Sequence, residues 1–163
     1  MAEELLREQL NAQIKNRAMM YYHIFNEMRE EIGEEQAIAI MKRAIYKRGL
    51  EISGLLKQHA PADLDGLKET FVNKIVPDEG RVFAPEVLRC DDRELEMKLM
   101  QCPLKAAYRE AGLSDEETAT MLNIAAQVDY GTFEGAGFNV RVETWLPGRT
   151  GCCHLHIQPK SGG

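Results

Sequence analysis

Apolar residues recur every three or four positions from the start of the chain. Leu6, Leu10, Ile14, Ala18, Tyr21, Phe25, Met28 and Ile32 form one stripe, the period of an amphipathic helix. The spacing predicts a helix over 3–31, ended by Gly33, because glycine supplies the backbone a helix terminus prefers. A second stripe of Ala37, Ile38, Met41, Ile45, Ile52 and Leu55 predicts a helix from about Glu34 to Lys57. Acidic Glu34 and Glu35 at its start, and basic Lys47, Arg48 and Lys57 towards its end, suit the helix dipole. Together these segments read as an antiparallel helical hairpin over 1–60, with its methionines and aromatics serving as core.

Pro61, Asp63 and Gly66 mark a turn, and a short helix is expected over about 65–75. The period then changes. Leu95, Met97 and Leu99 alternate with Glu94, Glu96 and Lys98, the pattern of a half-buried strand. One or two strands are expected within 86–101, with Asp91–Asp92 as a turn. Pro103 suits the first position of a helix that Gly112 closes. Ser114 and Glu117 form a capping box, and the helix they open is expected to run unbroken to about Phe133. A hairpin ends the chain. Val140 and Val142 alternate with Asn139, Arg141 and Glu143, a turn spans 146–151, and the return strand covers 152–158. The tail Lys160-Ser161-Gly162-Gly163 is expected to fray. The order implies one α+β domain: an N-terminal helical hairpin, then a strand–helix–helix–hairpin core over 86–158. Its sheet should be mostly antiparallel, with helices packed on one face.

Composition narrows the function classes. The 163 residues carry 20 Lys+Arg against 26 Asp+Glu, a formal charge of −6. With no basic stripe, nucleic acid is not an expected partner. No apolar run approaches the roughly 20 residues that span a bilayer, so no membrane is expected. The start, Met1 to Gln9, lacks the basic and apolar regions of a secretory signal, which makes a cytoplasmic location the expectation. In that compartment Cys90, Cys102, Cys152 and Cys153 read as free thiols. The expected partner is a small molecule, and the long first helices offer a surface for homo-oligomers.

Three constellations bear on chemistry. Cys102 lies where a strand meets a helix start, so unpaired backbone N–H groups favour its thiolate. It reads either as a nucleophile or as a small buried residue. In the final hairpin, pairing Trp145 with Cys152 sets Glu143 opposite His154 and Arg141 opposite His156. One face then holds Val140, Val142, Cys153, Leu155 and Ile157 as core. The other carries Asn139, Arg141, Glu143, His154 and His156, as solvated surface or as a pocket floor with an oriented base. Cys152 falls on that polar face with both histidines, a combination that could hold zinc. The H-x-H signal is short and fixes no further ligand, so no metal and no cofactor is assigned. Asp129, in an otherwise apolar helix stretch, is costly to bury without a partner and reads as a site carboxylate or an exposed residue. Glu134 follows nearby. No G-x-G-x-x-G, Walker, G-x-S-x-G or C-x-x-C motif occurs.

The run from Cys102-Pro103-Leu104 through Gly112 to Glu117, then Asp129-Tyr130, Gly137-Phe138 and Cys153-His154-Leu155-His156, resembles the L-2-amino-thiazoline-4-carboxylic acid hydrolase family. The likeness covers about 87–157. Ala125-Ala126-Gln127 stand where members often have a cysteine, and His154 stands where an aromatic is expected. The resemblance implies a hydrolase opening a small cyclic amidine or amide at a C–N bond. Cys102 is then the expected nucleophile. Asp129 and His154 are its expected acid–base partners. Asn139, Arg141, Glu143, His156 and Glu134 are expected to bind substrate. The alternative is a non-enzymatic ligand-binding or sensor domain, similar to the 4-vinyl reductase type.

Overall fold

A computed structural model describes residues 1–160, so all but Lys160 of the tail expected to fray lies outside the described residues. The first apolar stripe folds as α1 (Ala2–Ile32) and the second as α2 (Glu34–Ile52). Gly33, at φ 90°, turns the chain between them. Burial on α1 is confined to its middle, at Ile14, Ala18 and Phe25, where it packs on its neighbours. Leu6 and Ile32, expected in the buried stripe, are exposed, as is Leu55.

α2 stops five residues short of the expected Lys57 and continues as tight turns over Ser53–Leu55 and Lys57–His59. Ser53 is the reason: its hydroxyl donates back to the Leu50 carbonyl at 2.6 Å, a local bond that competes with the helical ladder. The next helix, α3 (Leu64–Thr70), is capped by Asp63, whose carboxylate accepts from the Gly66 amide at 3.0 Å. It widens into a π-turn at Phe71–Ile75.

The strand region is two strands, β1 (Pro85–Cys90) and β2 (Leu95–Leu99), turning at Asp91–Asp92. The Asp91 carboxylate accepts from the Arg93 and Glu94 amides at 2.8 and 2.9 Å, which closes that turn. The hairpin forms β3 (Phe138–Glu143) and β4 (His154–Pro159). All pairings are antiparallel, in the order β1-β2-β4-β3. Glu143 pairs with His154 and Arg141 with His156, the register that the alternation predicts. Leu95, Met97, Leu155, Ile157 and Phe138 enter the core from one sheet face. The other face carries the alternating polar residues.

Between the strand pairs come α4 (Pro103–Glu110), α5 (Asp115–Ala125) and α6 (Gln127–Gly135). The Ser114–Glu117 capping box is present in both directions. The single long helix expected after it is instead two, broken at Ala126. The cause is tertiary: α6 meets α2 backbone to backbone. A Cβ on Gly131 would lie 2.2 Å from the Tyr46 carbonyl oxygen, and one on Gly49 would lie 2.3 Å from that of Val128. α6 is also tied to β3, since the Tyr130 hydroxyl accepts from the Val142 amide at 3.1 Å. Asp129 therefore sits in the first turn of a new helix, not late in an old one. Among the described residues no helix is long and apolar enough to cross a membrane.

Because the atoms facing Gly131 are backbone, they cannot rotate aside. Gly131→Ala is expected to destabilise the protein by about 2–3 kcal/mol or more, whereas Gly54→Ala, where a Cβ meets nothing, should not. Urea denaturation of the two variants distinguishes these outcomes.

Candidate functional site

The turn into α4 makes Cys102 the N-cap residue, with extended backbone at φ −151° and ψ 108°. Its sulfur accepts from the Lys105 amide at 3.5 Å. Pro103 at the first helical position has no N–H of its own. The same Lys105 extends its ammonium to the Gly151 carbonyl at 2.9 Å and over the Trp145 ring at 4.5 Å from its centroid. Trp145 is buried, and its indole N–H donates to the Arg149 carbonyl at 3.0 Å. These contacts fix the β3–β4 connection beside the start of α4. Cys152 and Cys153 are held there by paired 2.8 Å bonds, Cys152 N–H to the Leu99 carbonyl and Leu99 N–H to the Cys153 carbonyl.

Three thiols thus gather at one place. The Cys152 and Cys153 sulfurs are 3.6 Å apart, and both residues line the same cavity as Cys102. The Cys152 thiol beside it lowers the Cys102 pKa first, and the Lys105 and Leu104 amides add to this against the cost of burial. Cys152 shifts the opposite way, raised by its bonds to Cys102 and Cys153 and by burial. The charge of this pair therefore rests on Cys102, while Cys152 keeps its proton. Tyr108 feels that charge: burial foremost, then Cys102, raises its pKa. Its hydroxyl is buried without a hydrogen-bond partner.

The thiols line a cavity of about 600 Å³, walled mainly by apolar side chains including Ile52, Phe71, Leu99, Leu104, Leu122 and Val128. Asp129 lines the same cavity from the first turn of α6. Its side chain has no hydrogen-bond or ion-pair partner among the described residues, and burial pushes its pKa up to about 7. It therefore stands near neutral pH as a carboxyl able to give or take a proton. Exposed Arg17, Arg48 and Lys74, with half-buried Tyr21, complete the lining. Such cations favour an anionic group on a ligand.

Of the expected site residues, Cys102 and Asp129 line this cavity, and the others lie outside it. His154, His156, Glu143, Arg141 and Asn139 lie on the opposite sheet face, because Leu155 and Ile157 between them point to the core. There His154 Nε2 lies 2.6 Å from Glu96 Oε1, and His156 Nε2 lies 2.8 Å from Glu143 Oε2. Glu134 is exposed and accepts from the Tyr46 hydroxyl at 2.7 Å. Cys152 was expected on the polar face with the histidines. It is buried in the cavity wall, because β4 begins only at His154 and strict alternation stops there. The sequence reading missed Cys152 and Cys153 as cavity residues, and Arg17, Tyr21 and Lys74 as well. The last three come from distant segments that no local pattern joins. The adjacent pair of cysteines was the one visible signal.

Two measurements test this site. Alkylation of Cys102 by iodoacetamide, followed by peptide mass spectrometry, should begin at lower pH than that of Cys90, whose pKa burial raises. Cys152→Ala should move the Cys102 midpoint upward. For Asp129, an unfolded aspartate titrates near 4, whereas the folded one is pushed up to about 7. Between those values the folded state holds the extra proton, so its contribution to stability falls as pH rises from about 4 to 7 and stays lost above. Asp129→Asn removes that loss. Its melting temperature should match the parent near pH 4 and exceed it at pH 8, by about 6–16 °C for a gain of about 3–4 kcal/mol.

Comparison with known proteins agrees with the resemblance noted in the sequence. No curated protein sequence matches the chain. Among solved structures, a trafficking protein particle complex subunit 3 from Naegleria fowleri, covalently bound to palmitic acid, superposes with a TM-score of 0.61. The match covers 92% of this chain and 96% of that one at 15% sequence identity, which establishes a shared fold and nothing of shared chemistry. The model of the L-2-amino-thiazoline-4-carboxylic acid hydrolase family matches residues 11–157, from the middle of α1 through β4. With nearly its whole length matched, the chain belongs to the L-2-amino-thiazoline-4-carboxylic acid hydrolase family.

Proposed function

We propose that the protein hydrolyses a small cyclic amidine or amide, of which L-2-amino-thiazoline-4-carboxylate is the type, at the cavity shared by Cys102 and Asp129. One observation carries this reading: a thiol biased towards thiolate and a carboxyl that keeps its proton near neutrality line the same largely apolar cavity. Nucleophile and proton donor are thus poised in opposite protonation states at one pH.

The chemistry balances with water as the only co-reactant. The Cys102 thiolate adds to the amidine carbon, and the electron pair of the C=N bond moves to the ring nitrogen. That nitrogen takes a proton from Asp129. The exocyclic amino group then expels the ring nitrogen and passes it a second proton, so the nitrogen leaves as an amine and the carbon stays attached to Cys102 as a C=NH group. Water, deprotonated by Asp129, adds to the same carbon and expels the thiolate. Its oxygen becomes the product carbonyl, and its two hydrogens restore the protons given up by Asp129 and by the exocyclic nitrogen. Arg17 and Lys74 at the rim hold the substrate carboxylate. The amides at the start of α4 favour the negative sulfur. His154, on the opposite sheet face, has no part in this scheme.

A second reading rests on the cavity itself. Its volume and apolar walls suit a ligand larger than a thiazoline ring, and the fold neighbour carries palmitic acid covalently. On that reading Cys102 anchors or contacts an apolar ligand without turnover.

The two readings separate in one experiment. Purified protein is incubated with L-2-amino-thiazoline-4-carboxylate, and the ring-opened product is followed by chromatography. Turnover by the parent protein is expected, with a loss of at least about 10³-fold in Cys102→Ser and about 10²-fold in Asp129→Asn. His154→Gln should retain parental turnover. No turnover, together with a hydroxylamine-labile acyl mass on Cys102 in the intact protein, would replace the hydrolase with the ligand-binding reading.

A further inference from the structure

The polar face of the sheet carries a second constellation that the hydrolase scheme does not use. His154 and His156 project from β4 at alternate positions, with their rings stacked at a centroid distance of 4.4 Å. Glu96 flanks them from β2, Glu143 from β3, and Glu94 from the residue just before β2. Every imidazole nitrogen faces a carboxylate. His154 Nε2 is 2.6 Å from Glu96 and its Nδ1 is 3.5 Å from Glu143. His156 Nε2 is 2.8 Å from Glu143 and its Nδ1 is 3.3 Å from Glu94. The cluster is sheltered, since the side chains of His156 and Glu94 are only 13% and 15% exposed.

The charges do not balance within the chain. Glu94 is paired with Arg89 at 3.1 Å, and Glu143 with Arg141 at 3.6 Å. Glu96 has no arginine or lysine at ion-pair distance among the described residues, and its only ion-pair partner is His154. One carboxylate is thus left uncompensated beside two stacked imidazoles. A divalent cation held by both imidazoles would place positive charge next to it.

We infer that Glu96, His154 and His156 form a binding site for a borderline divalent metal ion such as Zn²⁺, on the sheet face opposite the thiol cavity. One donor atom from each of the three lies within 4.8 Å of the others. Bonds of about 2.0–2.2 Å in tetrahedral geometry need donors roughly 3.4 Å apart, a closure that rotation of the three side chains supplies. Two histidines at alternate positions of one strand plus a carboxylate from the next give a nitrogen–oxygen set suited to zinc. Glu143 and Glu94 take the ring nitrogens that the metal leaves free, which fixes ring orientation and raises ligand basicity. A surface depression bordered by Lys98, Glu143 and Arg149 adjoins His154.

The test uses the full chain, stripped with EDTA and titrated with Zn²⁺ by calorimetry against a competing chelator. One Zn²⁺ per chain is expected. Affinity should fall at least tenfold in Glu96→Gln and in His156→Ala, and should stay unchanged in Cys102→Ser. Glu96→Gln is nearly isosteric, and its far-ultraviolet circular dichroism verifies that it remains folded. With Co²⁺ as the probe, weak visible bands from nitrogen and oxygen ligands should appear without an intense thiolate-to-metal band. Substoichiometric uptake, affinity indifferent to Glu96→Gln and His156→Ala, or an intense thiolate band that Cys102→Ser or Cys152→Ala removes would each overturn the assignment. None of these results depends on hydrolysis at Cys102, so the two proposals stand or fall separately.

Discussion

The arrangement of this molecule follows from a place where two helices touch without side chains between them. Gly49 on α2 and Gly131 on α6 let the backbones approach to distances that any Cβ would violate. That contact breaks the long helix at Ala126 and starts α6 in a new direction. Asp129, two residues before Gly131, is thereby carried to the cavity rather than to solvent. An acid in that position pays a desolvation cost. The close glycine packing holds it there, and the result is a carboxyl that titrates near neutrality instead of near 4.

The sheet then divides the molecule chemically. Its core face borders the thiol cavity, where low polarity and few hydrogen-bond partners make protonation states sensitive to single neighbours. Its outer face carries imidazoles and carboxylates that partner one another at 2.6 to 3.5 Å. The alternation of β4 produces this separation with one strand, Leu155 and Ile157 facing inward and His154 and His156 outward. A base on one side of such a strand is withheld from an acceptor on the other. The histidines are thereby kept away from the cavity that Cys102 and Asp129 line.

Much of the fold is legible in the chain because local rules suffice for it. The Ser114–Glu117 box, the alternation of Leu95, Met97 and Leu99, and the asymmetry of the final hairpin each admit one solution. The break at Ala126 is not legible, since it depends on a glycine about 80 residues earlier in the sequence meeting Gly131. Cys152 is misplaced by simple alternation because its backbone bonds to Leu99, a partner set by the order of strands. The outer cluster was half legible: pairing within the hairpin joins Glu143 to His154, but Glu96 arrives from β2, a neighbour that local sequence does not announce. The placing of Asp129 with Cys102 was half legible: the cost of burying an acid in an apolar stretch pointed to a site carboxylate, but whether it met Cys102 or the histidines depended on the turn that starts α6.

Lys105 has a double attachment whose significance reaches beyond holding a turn. Its amide touches the Cys102 sulfur and its ammonium grips the Gly151 carbonyl next to Cys152. One residue therefore registers both ends of the thiol pair and transmits displacement from one to the other. An occupant pressing the Gly151–Cys153 segment outward would draw on this tether and displace the amide from which the Cys102 sulfur accepts. The surroundings of the Cys102 sulfur are therefore coupled to the width of the chamber at Gly151–Cys153 through one side chain.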